Sequence, residues 1–340
     1  MSSAAARLAA LRTELAGAPS PLTDLPTTIA ARFAARPRKA LSRHEMLRGV
    51  LDRLTAIERS LPPGASDTPT LRAARRLNRA AGLLALSVLL DSGIEHYRGS
   101  FKNGVMFAPP VISALTLAVS AHGMTDVRPF AHRARQAVFS AAALTGMAGT
   151  GFHLYNVLKR PGRLAWQNLF FGAPLGAPMA ILLAGLLGAA AEEVRHTSRG
   201  RPVHVLGLPA GRLLAVVSGL GLLGTVAEAA LLHFRGAYHN PAMYVPVTLP
   251  PVGAVLLLGA AASSSPRRGR IARVWLRLTA LLGFAGVGFH TWGVARNMGG
   301  WHNWTQNILN GPPLPAPPSF TGLALAGLAA LGLLKERPHG

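Results

Sequence analysis

From about residue 77 onward the chain alternates apolar stretches of roughly 20 residues with short polar ones, the length a helix needs to cross a bilayer. The stretches are 77–97, 105–122, 137–157, 174–194, 212–233, 243–262, 274–294 and 316–334. This pattern predicts an all-α integral membrane protein with eight transmembrane helices. The first 76 residues read differently, with no apolar run near 18 residues. Within them, Leu41, Met46, Leu47, Val50, Leu51, Leu54, Ile57 and Leu61 recur three and four apart. That spacing predicts an amphipathic helix over Arg38–Leu61, ended by Pro62-Pro63-Gly64. The expected organisation is a basic, cytosolic N-terminal helical segment (1–76), two membrane repeats (77–196 and 197–334) and a cytosolic tail (335–340).

Composition agrees with the membrane reading. Half the residues are hydrophobic, only 14% are charged, and mean hydropathy is +0.31. Such apolar content excludes a disordered chain, and the absence of cysteine excludes disulfides and zinc–thiolate sites. The net charge of +22 invites a nucleic-acid reading, but no recognition module accompanies it. Its distribution has a simpler meaning. If the N-terminus, the connections 123–136, 195–212 and 263–277, and the C-terminal tail share one side, that side carries 28 of the 35 Lys and Arg residues. The positive-inside rule then puts both termini in the cytosol, with attraction to anionic lipid as a secondary benefit. A bacterial inner (plasma) membrane is the expected location.

The two membrane halves share sequence. His96–Pro109 (HYRGSFKNGVMFAP) overlays His233–Pro246 (HFRGAYHNPAMYVP), and Ala148–Lys159 (AGTGFHLYNVLK) overlays Ala285–Arg296 (AGVGFHTWGVAR), both 137 residues apart. Gln167–Pro178 overlays Gln306–Pro317 at 139. Each half would hold four spans, an even number, so the halves keep the same orientation and a parallel pseudo-two-fold axis along the membrane normal is expected. Every matched motif falls at the outer end of a helix or in the loop behind it.

Those motifs supply the candidate chemistry. His96, His153, His233 and His290 occupy equivalent places, and Asp91, Glu95 and Glu228 are the acids inside spans away from the cytosolic ends. Ionisable groups at such depth are costly and face the bundle interior. Neutral imidazole suits iron and copper, and a pair of histidines across facing helices suits haem. The first expectation is therefore a membrane subunit holding a redox metal or a non-covalent haem. The four histidines and three acids would be ligands or proton handlers, serving quinone and an outer-face or membrane redox partner. Arg98 and Arg235, each seven residues after a carboxylate, would neutralise anionic groups such as propionates, with Asn103 and Asn240 beside them. The second expectation is a transporter or channel using the same acids for an ion or small solute. The third is a scaffold in which the repeated residues only cap helix ends.

Several patterns exclude themselves. Asn240-Pro241-Ala242 is the aquaporin tripeptide, but its counterpart is Asn103-Gly104-Val105, and a parallel eight-span repeat is not that fold. Gly149 and Gly286 in the GxGFH motifs follow no strand, so they read as close-packing positions rather than a dinucleotide loop. Tyr97, Tyr155, Trp166, Tyr244, Trp292, Trp301 and Trp304 read as an interfacial belt. The halves are expected to differ in importance. Glu95 faces Leu232 in the alignment, Lys102 faces His239, and the Asn297–Asn310 loop is longer in the second half.

Overall fold

The computed structural model describes residues 68–197, 202–263 and 265–335. The helix expected at Arg38–Leu61 and the tail residues 336–340 lie outside the described residues. Ten α-helices are present among those described: α1 (Pro69–Arg98), α2 (Ala108–Thr125), α3 (Arg133–Leu158), α4 (Trp166–Phe171), α5 (Gly176–His196), α6 (Ala210–Arg235), α7 (Val245–Ala262), α8 (Pro266–Arg296), α9 (Trp304–Asn310) and α10 (Pro318–Lys335). Short 3-10 turns precede α2, α7 and α9. The chain is a helical membrane protein. Seven helices are long and apolar enough to cross a bilayer, and α10 is a shorter apolar helix.

Three features depart from the sequence expectation. The connections after α3 and α8 are not plain loops but carry the short helices α4 and α9. The connection 195–212 contains a two-residue hairpin, His204–Val205 against Leu208–Pro209. The last apolar stretch, read as a span of 316–334, begins its helix only at Pro318, because Pro312, Pro313, Pro315 and Pro317 keep the chain before it out of a helix.

Local chemistry sets the helix ends. At α1, Thr68 accepts the N–H of Leu71 at 3.2 Å and Pro69 fills the first position, whose N–H would be unpaired in any case. At the far end, Gly99 leaves the helix and the next two residues, Ser100 and Phe101, take positive φ (56° and 45°). Their counterparts Ala237 and Tyr238 do the same (55° and 46°). A side chain in the left-handed region costs about 1–2 kcal/mol, so something must hold these turns.

The core is built from α1, α5, α6 and α10. α1 packs on α5 and α10, and α6 packs on α10 and, along a thinner seam, on α5. α2 and α3 cover the α1–α5 side, while α7 and α8 cover the α6–α10 side. Contacts are made by small residues: Ala74, Ala80, Ala81, Ala184, Ala191, Ala324, Ala326 and Ala330 are buried around Leu77, Leu84, Leu187, Leu222 and Leu323. In lipid, helices gain little by hiding apolar surface from one another, and close backbone approach is what holds them together. A Cβ on Gly286 would stand 2.7 Å from that of Pro317, and one on Gly149 would stand 3.2 Å from that of Pro178. These two glycines of the GxGFH motifs are therefore packing positions.

Candidate functional site

The duplicated loop motifs build a self-contained clasp at the end of each hairpin. His96 Nδ1 lies 2.5 Å from the carbonyl oxygen of Met106, and His233 Nδ1 lies 2.8 Å from that of Met243. Asn103 Oδ1 accepts the N–H of Val105 at 3.0 Å, and Asn240 Oδ1 accepts that of Ala242 at 2.9 Å. Phe101 stacks on Phe107 with centroids 4.3 Å apart, and Tyr238 stacks on Tyr244 at 4.5 Å. The stacked rings and the Phe101 and Tyr238 N–H bonds back to His96 and His233 hold the left-handed turns. In the second pair of hairpins, His153 Nδ1 meets the carbonyl of Pro174 at 2.5 Å, and His290 meets that of Pro313 at 2.6 Å.

This geometry gives the four histidines a structural role alongside the expected one. A carbonyl cannot donate, so Nδ1 carries the proton in all four rings, and each histidine ties a helix end to the start of the next helix. Among the described residues no three His, Asp or Glu side chains converge as a metal-holding group. Asn103 and Asn240, expected at a cofactor, instead cap 3-10 turns. Arg98 pairs with Glu95 at 2.8 Å, both about half exposed, so it does not reach inward to Asp91. Arg235 lies over the rings of Phe170 and Phe171, 5.5 and 5.8 Å from their centroids. His239 bonds the carbonyl of Gly236.

The carboxylates are a different case. Asp91 of α1 and Glu228 of α6 hold equivalent positions and lie within electrostatic reach of each other across the junction of the two halves. Glu228 also accepts the N–H of Gly176, the first residue of α5, where the helix dipole favours an anion. The residue aligned with Gly176 is Pro315, which has no N–H. Asp91 therefore lacks that donor, and it opens into a cavity of about 50 Å³ shared with Ser92, Glu95, His96, Thr145 and His153. At the aligned positions of the second half, Ala229, Leu232 and Leu282 replace Ser92, Glu95 and Thr145. A cofactor pocket is typically about 300–1,000 Å³, so the first-half cavity is far too small for a macrocycle. It has room for a few waters or a small cation.

A second polar centre escaped the sequence reading. At the opposite end of the first half, Arg135 forks onto Glu192 (2.9 and 2.8 Å) and reaches Asp126 at 2.7 Å. Arg195 donates to the carbonyls of Gly123, Asp126 and Arg128, and Glu192 accepts the N–H of His132. Arg135, Glu192 and Arg195 are each 1% exposed. Burial pushes the Asp126 carboxyl up, but hydrogen bonds from Arg128 and Arg135 outweigh it and hold the group well below the usual carboxylate range. The available signal was the scarcity of acids: only 13 occur in the chain, and Asp126 and Glu192 each lie at a connection otherwise rich in arginine.

Compared with known proteins, the chain matches no protein-family model, no curated protein and no solved structure.

Proposed function

We propose that this is an eight-span membrane protein of two parallel repeats, with both termini in the cytosol, that moves protons or a small cation across the membrane through Asp91 and Glu228. α10, 18 residues long, would be the eighth span, crossing with help from the proline-rich segment before it. The observation that carries the transport reading is Asp91. The duplicated histidines and asparagines and Glu228 each have a local structural bond, whereas this carboxylate faces a small polar cavity beside a second half-buried acid at the junction of the halves. Carboxylates placed within the membrane span are the usual sites of proton and cation passage in membrane proteins.

The test is reconstitution. Vesicles carrying the purified protein and an internal pH dye should show ion-gradient-driven proton flux above that of empty vesicles, and Asp91→Asn should cut it at least tenfold. Unchanged flux in Asp91→Asn would sink the reading. Topology can be probed directly because the chain has no cysteine: a membrane-impermeant maleimide should label Lys102→Cys from outside and not Ser265→Cys.

The redox reading retains one supporting observation. With Nδ1 bound to a carbonyl, each of the four histidines keeps its Nε2 lone pair free, the orientation a ligating imidazole takes. A visible spectrum and a metal assay on the detergent-purified protein decide this point. Bound metal lost in His96→Ala and His153→Ala would favour it over transport.

A further inference from the structure

Arg76, in the first third of α1, is half-buried, and its guanidinium crosses to the carbonyl of Leu328 on α10 at 3.3 Å. α10 also packs on α8, and from that side Arg277 comes close enough to repel Arg76, as does Arg79 one turn along α1. Among the described residues no carboxylate acts on Arg76; its charged neighbours are all arginines. Arg79 and Arg277 are exposed and make no hydrogen bond within the described residues. Among the described residues, Arg79 and Arg277, from two helices of different halves, thus both repel Arg76 with no counter-charge beside it, an arrangement that costs energy unless an anion bridges them.

Depth and asymmetry indicate what the anion is. Arg76 and Arg98 are 22 residues apart on α1, about 33 Å, and Arg277 and Arg296 are 19 apart on α8, about 28 Å. Both spacings match a hydrocarbon core of about 30 Å, so with Arg98 and Arg296 at one interface the cluster sits at the headgroup level of the other. A general topology signal would have no reason to prefer one seam. Yet at the aligned positions of the other seam, between α6 and α3, the residues are Leu213, Val216 and Ser140. We propose that Arg76, Arg79 and Arg277 form a specific site for the phosphate of an anionic phospholipid headgroup, seated over α10 between α1 and α8. Guanidinium forks match phosphate oxygens in geometry as well as charge.

The test uses the full chain in a zwitterionic detergent, titrated with short-chain phosphatidylglycerol and, separately, phosphatidylcholine, with bound lipid counted by native mass spectrometry. Phosphatidylglycerol should bind at least tenfold more tightly than phosphatidylcholine. Arg277→Gln should weaken it roughly fivefold, which is the ~1 kcal/mol a basic residue contributes at an anionic surface, and Arg79→Gln with Arg277→Gln should compound the loss. Neither residue has a hydrogen bond to lose, and an unchanged melting temperature in phosphatidylcholine checks that folding is intact. The control pair Arg267→Gln and Arg270→Gln removes the same charge from α8 outside the cluster and should change affinity less than twofold. Equal loss in the control would replace the site with a diffuse basic field. Displacement of the lipid by millimolar inorganic phosphate would make free phosphate the ligand, and no preference for phosphatidylglycerol would remove the site. Each of these three results overturns the proposal.

Discussion

The two halves share the hydrogen bonds and stacked rings of their clasps at one end and differ completely at the opposite end. In the first half, Asp126, Arg135, Glu192 and Arg195 bolt the α2–α3 connection to α5 through buried ion pairs. In the second half the aligned positions are Ser263, Ala272, Leu331 and Leu334, and Ala272 and Leu331 are buried in the core. One backbone plan is thus closed by charge in one copy and by apolar packing in the other. The clasp has to make a specific turn, so both copies need the same residues. The other end has only to fill space and satisfy its polar groups, which two different chemistries can do.

That difference gives the largest expected effect. Glu192→Leu alone leaves Arg135 buried without its carboxylate fork and should cost about 3–5 kcal/mol, read as a fall in the unfolding midpoint in detergent micelles. Installing the whole second-half set (Asp126→Ser, Arg135→Ala, Glu192→Leu, Arg195→Leu) should recover most of that loss, since apolar replacement of a complete buried network is often neutral or stabilising by about 1–4 kcal/mol. A quadruple variant as unstable as the single one would show that the ions do something packing cannot.

The same cluster should respond to acid. The Asp126 carboxyl binds its proton less readily in the folded chain than when unfolded. Its stabilisation is therefore complete above the ordinary aspartate value of about 4 and fades as pH falls below it. Thermal unfolding at pH 3 and pH 6 should show a larger drop for the natural protein than for the quadruple variant, and equal drops would remove Asp126 as the acid-sensitive group.

How much of this was legible in the sequence depended on whether a residue's partner was near it in the chain. His96 and Met106 are ten residues apart and lie within one motif that recurs at a fixed offset, so their importance was plain, although the carbonyl bond they make was not. Composition alone cannot distinguish an imidazole that donates to a carbonyl from one that binds iron. Arg135 and Glu192 are 57 residues apart at helix ends where charges are expected to be solvated, so nothing local marked them as buried. The apolar spans were visible because each is a continuous run, while α4 and α9 were not, being only six and seven residues long. Glu228 was found through its duplicate, but its partner Gly176 became visible only when α5 was seen to start beneath it.

That partner offers the next sharpening. Gly176→Pro copies the second half into the first, removes the N–H that Glu228 accepts and puts a Cβ where the Glu228 carboxylate now lies, so the acid must move away and the loss should exceed the ~1–3 kcal/mol of an unpaired group. Pro315→Gly, the reverse exchange, restores an N–H at the aligned place near Asp91. If an unengaged Asp91 is what carries the transported ion, Pro315→Gly should lower flux while leaving the unfolding midpoint unchanged or raised. Glu228→Gln should be milder than Asp91→Asn, because the glutamine oxygen still accepts from Gly176. Equal losses from the two would indicate one shared central site in place of two unequal ones.

The smallest expected effect separates clasp from ligand most cleanly. If His96 and His233 act only by donating Nδ1–H to the carbonyls of Met106 and Met243, then alanine at either position should cost a single hydrogen bond, about 0.5–1.5 kcal/mol. The two halves should lose similar amounts, because the clasps have the same partners and the same stacked rings beside them. Asparagine provides the control. Its side-chain N–H₂ can occupy much the place of Nδ1–H, so His96→Asn and His233→Asn should retain most of what alanine loses. It offers no nitrogen lone pair in the place of Nε2. Asparagine that restores the unfolding midpoint but abolishes any function of the protein would therefore show that the Nε2 nitrogens are used as well, which the clasp alone does not require.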